Sequence, residues 1–227
     1  MRPWFQLVLA LLALSTASAQ VIDRMAAVVN RHVVMESEVD QEARVEYLMA
    51  GKPLEKLTQP DTAAALDRLI DRSLLEQQVG KDVDVEPAPA EVAAELARVR
   101  QQFPRAATIE GWNALLASYG VTERDIQDHL AAQLRVLRFI DLRFRGLVRV
   151  DRNAIETYYQ QKFLPELRKR GAPEPPVTEV SSKIEKILTE QGIDEMLNHW
   201  LETLRSQARI EKMSSPQDTS IAGEVRQ

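Results

Sequence analysis

The chain has 227 residues, contains no cysteine and carries a formal net charge of −5 at pH 7. This mild acidity argues against a nucleic-acid partner, because binding to phosphates depends on an excess of Lys and Arg. Without cysteine the protein forms neither disulfides nor a thiol nucleophile, so its stability must come from packing.

The first residues have the pattern of a cleaved secretory signal. Arg2 supplies a positive charge, residues 4–14 are almost all apolar, and the Ala-Ser-Ala of residues 17–19 provides the small side chains that signal peptidase requires. The apolar run is shorter than the roughly 20 residues that cross a bilayer as a helix. We therefore predict a signal peptide over residues 1–19 and a periplasmic protein with no stable membrane anchor.

Residues 28–34 predict a small β-hairpin. Two short apolar strands flank Asn30-Arg31, and asparagine tolerates the positive φ of a two-residue turn. Ser37, with Asp40 three residues later, is expected to cap the helix that follows. A two-stranded hairpin is only marginally stable alone. The other strand-like segment is the alternating run 208–212, so we expect the two ends of the chain to pair in one module.

The middle of the chain is predicted to be helical. The strongest signal is an apolar stripe at spacings of three and four over residues 65–79, opened by Asp61 or Thr62 and stopped by Gly80. A shorter helix is expected from about Ala90, after two prolines.

Two threonines mark the next helix starts. Thr108 is expected to cap one helix, and Thr122 with Asp125 has the spacing of a capping box, with aspartate in the place of the usual glutamate. The helix that this box opens is predicted to continue to about Phe144.

The last third of the chain is predicted to contain further helices and a tail. Asp151 is expected to cap a helix over residues 152–170, and the proline-rich segment 171–176 is a stiff connector. Two more helices and the short strand follow. Residues 214–227 are polar and lack periodicity, which predicts a disordered tail.

Four segments together resemble the SurA-like family of periplasmic chaperones. In chain order they read VIDRMAAVVNRHVVMESEVD, DRLIDRSLLEQQVGKDVDVEP, YGVTERDIQDHLAAQLRVLRFI and VSSKIEKILTEQGIDEMLNHWLETLRSQARIEK. The resemblance covers the N-terminal domain and the C-terminal helix and strand of that family. It implies a mainly α fold, with a multi-helix core and a small N-terminal hairpin that a C-terminal strand joins.

The chain departs from this family in its middle. In the family, parvulin-type prolyl isomerase domains are inserted between the N-terminal and C-terminal segments, and residues 151–176 are too few for such a domain. We therefore expect residues 20–150 to form the chaperone domain, residues 151–176 to replace the parvulin domains, and residues 177–213 to pack on the chaperone domain. No isomerase residue is transferred to this chain.

Inspection for catalytic chemistry supports a protein that is not an enzyme. His32, His129 and His199 stand at no metal-binding spacing and are interpreted as surface or capping residues. No G-x-S-x-G motif occurs, and Gly51-Lys52 lacks the upstream glycine of a phosphate loop. We predict no catalytic residue, no metal, no cofactor and no nucleotide.

Binding is the function that remains, and the resemblance implies unfolded outer-membrane or secreted polypeptides as partners. An apolar groove would cover their exposed side chains. The candidate client-binding residues are those in apparent excess of one packing stripe, although each is also a candidate for ordinary core: Tyr47, Leu48, Met49, Phe103, Trp112, Leu116 and Tyr119. Two alternatives stay open, namely a residual prolyl isomerase and a structural adaptor that binds one folded partner.

Overall fold

A computed structural model describes residues 23–79 and 84–213. The predicted signal peptide, the helix stop expected at Gly80 and the predicted tail at 214–227 lie outside these described residues. Within them the protein is mainly α with one small antiparallel sheet, which confirms the predicted fold class. None of the described helices combines the length and the apolar character that a bilayer crossing requires.

The two ends of the described chain meet in a three-stranded sheet. Strands β1 (Met25–Val29) and β2 (His32–Met35) form the hairpin, and β3 (Ile210–Lys212) pairs antiparallel with the other edge of β1. Asn30 has a φ of 59° in the turn, and its backbone N–H donates to the Arg209 carbonyl oxygen at 2.8 Å. Its side-chain oxygen accepts from the Arg209 N–H at 3.0 Å. The predicted hairpin and its pairing with the far end of the chain are thus confirmed.

The helices that follow the hairpin lie close to their predicted positions. They are α1 (Glu36–Met49), α2 (Gln59–Glu76), α3 (Pro89–Gln101), α4 (Ile109–Tyr119) and α5 (Glu123–Phe144). Two predicted caps are confirmed. The Thr108 hydroxyl accepts from the Gly111 N–H at 3.0 Å, and the Asp125 carboxylate accepts from the Thr122 N–H at 2.7 Å.

The predicted cap at Ser37 is wrong. Helix α1 begins two residues earlier than a cap at Ser37 implies, and the Glu38 carboxylate accepts from the Met35 N–H at 2.8 Å. The Ser37 hydroxyl donates instead to Asp23. The Glu38 carboxylate satisfies the backbone N–H of Met35, the residue before the helix, so the helix can begin before Ser37.

Helix α2 also begins earlier than predicted. Its cap is Thr58, whose N–H donates to the Asp61 carboxylate at 2.9 Å. Asp61 is therefore the third residue of the helix rather than its start. Pro60 is tolerated in the first turn because no helical hydrogen bond needs its missing N–H.

The last third of the described chain contains a helix with a π-helical turn in its middle and one long helix. Helix α6 (Arg152–Tyr158) leads through a π-helical turn (Tyr159–Phe163) into α7 (Leu164–Lys169), and Asp151 caps α6 as predicted. Helix α8 (Val177–Gln207) is continuous, whereas two helices were predicted. Its apolar positions continue across Gly192, and one glycine in a helix interior costs only about 1 kcal/mol, which packing on both sides offsets.

The apolar side chains form three clusters. The first joins the sheet to α1, α2, α5 and the second half of α8. The second joins α1, α3, α4 and the first half of α5. The third joins α6 and α7 to the first half of α8. Helices α1 and α5 both contribute to the two larger clusters, so together they connect the two halves of the fold.

Gly192 leaves room for Val148, and we expect Gly192→Ala to lower the free energy of unfolding. A Cβ atom at residue 192 would lie 2.8 Å from Val148 Cγ1. Overpacking of this kind costs about 1–3 kcal/mol, which exceeds the roughly 1 kcal/mol that alanine gains over glycine in a helix. Urea denaturation followed by circular dichroism measures the difference.

Two comparisons make this prediction specific. Gly146→Ala is the control, because a Cβ atom there meets no atom within 4 Å. In a Val148→Ala background, Gly192→Ala should become neutral or stabilising. A loss that persists in that background would show that contact with Val148 is not its cause.

Candidate peptide-binding clefts

Helix α5 carries more apolar side chains than its packing faces bury. Ile126 and Leu130 belong to the second cluster, and Ile140 belongs to the first. Leu137 and Leu142 remain 54% and 65% exposed. Single exposed leucines are ordinary, but exposed leucines that line a concave surface mark a binding site.

Both leucines line a cleft of about 630 Å³ between α5 and α8, the α5–α8 cleft. Its apolar lining consists of Leu134, Leu137, Ile140, Leu142, Ile193 and Leu197. Its charged lining consists of Asp84, Arg138, Asp141, Arg145, Glu190 and Asp194. An apolar lining within a polar rim is the composition expected of a site that covers apolar groups of a ligand.

Aromatic packing fixes the two helices that form this cleft. The Trp200 ring of α8 lies 5.9 Å from the Phe139 ring and 5.5 Å from the Phe144 ring, measured between centroids. The Arg143 guanidinium covers the Trp200 ring at 4.1 Å from its centroid. These contacts, with distances suited to aromatic and cation–π attraction, hold α8 against α5 at the end of the cleft.

A second cleft of about 510 Å³ lies on the other side of Leu137, between α2 and α5, with the end of α1 at its edge. We name it the α2–α5 cleft. Its lining consists of Glu46, Met49, Ala50, Arg68, Asp71, Arg72, Leu75, His129, Gln133, Val136 and Leu137. Leu137 lines both clefts, so a bound chain that contacts Leu137 has an apolar surface on each side of it.

A buried charged cluster lies beside the α2–α5 cleft. Arg72 of α2 donates to the Glu42 carboxylate of α1, and His129 Nδ1 of α5 lies 3.0 Å from Glu42 Oε2. Burial raises the pKa of the Glu42 carboxyl, but the hydrogen bond and charge of His129, together with Arg72, outweigh it and lower the pKa to about 2. The cluster links the three helices that carry the cleft.

The interpretation of His129 as a surface or capping residue is wrong. Its side chain is 10% exposed and is a partner of Glu42. Its partner Glu42 lies on another helix, although Asp125 and Asp128 are nearby in the sequence. His32 and His199 are exposed, as predicted. Within the described residues no group of His, Asp and Glu side chains is placed to hold a metal ion.

The structure brings all seven predicted client-binding residues into the second cluster. Five of them are buried in it: Tyr47, Leu48, Trp112, Leu116 and Tyr119. The aromatic residues among them also form hydrogen bonds within the protein. The Tyr47 hydroxyl donates to Asp61 at 2.6 Å, and the Tyr119 hydroxyl donates to the Lys52 carbonyl oxygen at 2.7 Å. Trp112 Nε1 likewise donates to Glu123 at 2.7 Å. In this conformation these five side chains are too buried for a bound polypeptide to contact them directly.

Met49 and Phe103 lie at the edge of the same cluster. Met49 lines the α2–α5 cleft. Phe103 lines a separate recess of about 380 Å³ with Pro104, Ala106 and Leu115. The assignment of client binding to the seven residues remains a prediction, and Met49 is the member that shares a cleft with Leu137.

Sequence reasoning did not select Leu137 and Leu142. At spacings of three and four, Leu137 continues the stripe of Leu130 and Leu134 and is expected to face the core. The signal that identifies them is the density of apolar residues on α5, where Leu134, Val136, Leu137 and Leu142 fall on more than one face of the helix. A helix that is apolar on several sides packs on several partners or leaves one side open.

Comparison with curated proteins finds similarity to Chaperone SurA of Salmonella paratyphi A, Salmonella typhimurium and Salmonella typhi. Each is 32% identical to this chain over 108 residues, which are 45% of this chain and 25% of the relative. The chain thus matches about a quarter of the length of these curated relatives. No family model matches the chain. The findings support a SurA-like relationship.

Proposed function

We propose that this protein is an ATP-independent periplasmic chaperone that binds unfolded outer-membrane or other exported polypeptides. Binding takes place in the α5–α8 cleft and extends across Leu137 into the α2–α5 cleft. The observation that carries the proposal is the pair of half-exposed leucines in a cleft of about 630 Å³. The distant similarity to Chaperone SurA points to the same kind of activity.

The physical basis of this activity is burial of client side chains without chemistry. Each apolar side chain that moves from water into the clefts contributes roughly 1.5–3 kcal/mol, and the ordering of an unfolded chain offsets much of that gain. Binding is then weak enough to be reversible. The sequence pattern of the first residues supports export to the periplasm.

A dilution experiment tests the proposal. A urea-unfolded outer-membrane β-barrel protein is diluted into buffer with and without an equimolar amount of this chain, and light scattering is followed in the absence of nucleotide. We expect the chain to lower both the rate and the final extent of scattering. Serum albumin at the same concentration controls for nonspecific protein effects, and equal scattering with the two proteins would reject the proposal.

A further inference from the structure

The rim of the α5–α8 cleft is acidic. Among the described residues the lining contains four carboxylates, on Asp84, Asp141, Glu190 and Asp194, and two guanidinium groups, on Arg138 and Arg145, which together give a formal charge of −2. Any segment that buries apolar side chains in this cleft therefore places its flanking residues in a negative potential.

The two arginines of the rim are already engaged. Arg145 donates to Asp141 and, at 2.8 Å, to Glu190. Arg138 donates to Glu91 and to the Glu86 carbonyl oxygen at 2.7 Å, both of which lie outside the lining. The arginines thus have little capacity left to bind carboxylates of a ligand.

Two carboxylates of the rim face solvent. Asp84 and Asp194 are exposed, and Asp194 forms no ion pair with any other residue in the described part of the chain. Asp194 stands one residue after Ile193, which is part of the apolar lining. A cation that follows an apolar side chain into the cleft therefore has a carboxylate beside it.

The α2–α5 cleft differs in this respect. Its carboxylates, Glu46 and Asp71, are matched by the guanidinium groups of Arg68 and Arg72. Arg68 pairs with Glu46, and Asp71 accepts from Arg205 at 2.6 Å. The excess of negative charge is thus a property of the α5–α8 cleft and not of both clefts.

From this asymmetry we infer that the α5–α8 cleft selects segments in which a short apolar run is flanked by lysine or arginine. The inference rests on the proposed function and names the class of segment that the cleft prefers. The leucines bury the apolar run, and Asp194 and Asp84 attract the flanking cations. Segments flanked by glutamate or aspartate are repelled by the same carboxylates and find no free arginine.

Three fluorescent peptides test this selectivity. They share one apolar core of leucine, phenylalanine and valine, and the core is flanked on both sides by lysine, by serine or by glutamate. Fluorescence anisotropy with the full chain gives the three dissociation constants. At low ionic strength we expect the lysine-flanked peptide to bind about tenfold more tightly than the glutamate-flanked one, with the serine-flanked peptide between them. Added salt should reduce this ratio.

A variant pair assigns the effect to the rim. Asp194→Asn should weaken binding of the lysine-flanked peptide by about two- to fivefold and leave the serine-flanked peptide unchanged. Glu202→Gln is the matched control, because Glu202 is exposed on the same helix and does not line the cleft. It should change none of the three constants.

The outcomes separate this inference from the proposed function. Equal binding of all three peptides would overturn the selectivity and leave the chaperone proposal standing. A preference for lysine that Asp194→Asn and Asp84→Asn together do not reduce would also overturn it. If no peptide binds, including the serine-flanked one, both proposals fail.

Discussion

At pH 5.5, Glu42→Gln is expected to lower the free energy of unfolding by about 3 kcal/mol. The glutamine keeps the shape of the side chain but leaves Arg72 and His129 without the carboxylate that both contact. Removal of one member of a buried ion pair is costly because the remaining charge stays partly desolvated. Urea denaturation at this pH measures the difference.

The loss should depend on pH in a defined direction. The pKa of Glu42 is lowered from its ordinary value of 4.5 to about 2, so the folded protein holds this carboxylate more strongly ionised than the unfolded chain does. Its contribution to stability is full above pH 4.5 and is lost as the pH falls toward 2. Between pH 5.5 and pH 3 the wild type should lose about 2 kcal/mol that the variant does not lose.

Two features of the experiment isolate Glu42. Hydrogen bonds from Thr58 and Tyr47 lower the pKa of Asp61 to about 2 as well, but Asp61 is present in both proteins and cancels in the difference. Glu46→Gln is the matched control on the same helix, because Glu46 pairs with the half-exposed Arg68. That variant should lose less than about 1 kcal/mol. A gap between wild type and Glu42→Gln that stays constant from pH 5.5 to pH 3 would contradict the prediction.

The sheet and the helix order follow from local patterns that the sequence displays directly. Asn30 indicates a turn with positive φ, and Thr108 and Thr122 indicate helix starts. Both kinds of signal depend only on residues within about three positions in the sequence. The pairing of β3 with β1 followed from one further argument, since a lone hairpin needs a third strand and residues 208–212 were the candidate. Local sequence patterns, together with the need of the hairpin for a third strand, thus predict most of the fold.

The candidate site depends on distances that sequence spacing does not encode. Glu42, Arg72 and His129 lie on three helices, and their contact requires α1, α2 and α5 to cross at one place. The same holds for the α5–α8 cleft, which exists because α8 returns from the far end of the chain and covers only part of α5. Apolar density on α5 indicates that several faces are used, but which face stays open is a property of the packing.

The variant with the largest expected effect on client binding is Leu137→Gln combined with Leu142→Gln. Both side chains are more than half exposed, so the substitutions should change the free energy of unfolding by less than about 0.5 kcal/mol. Each leucine should contribute about 1 kcal/mol when a client covers its exposed half, so the double variant should raise the dissociation constant of the serine-flanked peptide about 30-fold. It should also abolish most of the suppression of light scattering.

Ile109→Gln combined with Leu147→Gln provides the matched control. These two side chains are 68% and 60% exposed, and neither lines the described clefts. The control removes as much exposed apolar surface as the cleft variant does, so it separates a local site from a general effect of surface hydrophobicity. Equal losses in the two variants would mean that clients adhere to any exposed apolar side chain. A loss confined to Leu137 and Leu142 would assign client binding to the surface that helix α5 presents between α2 and α8.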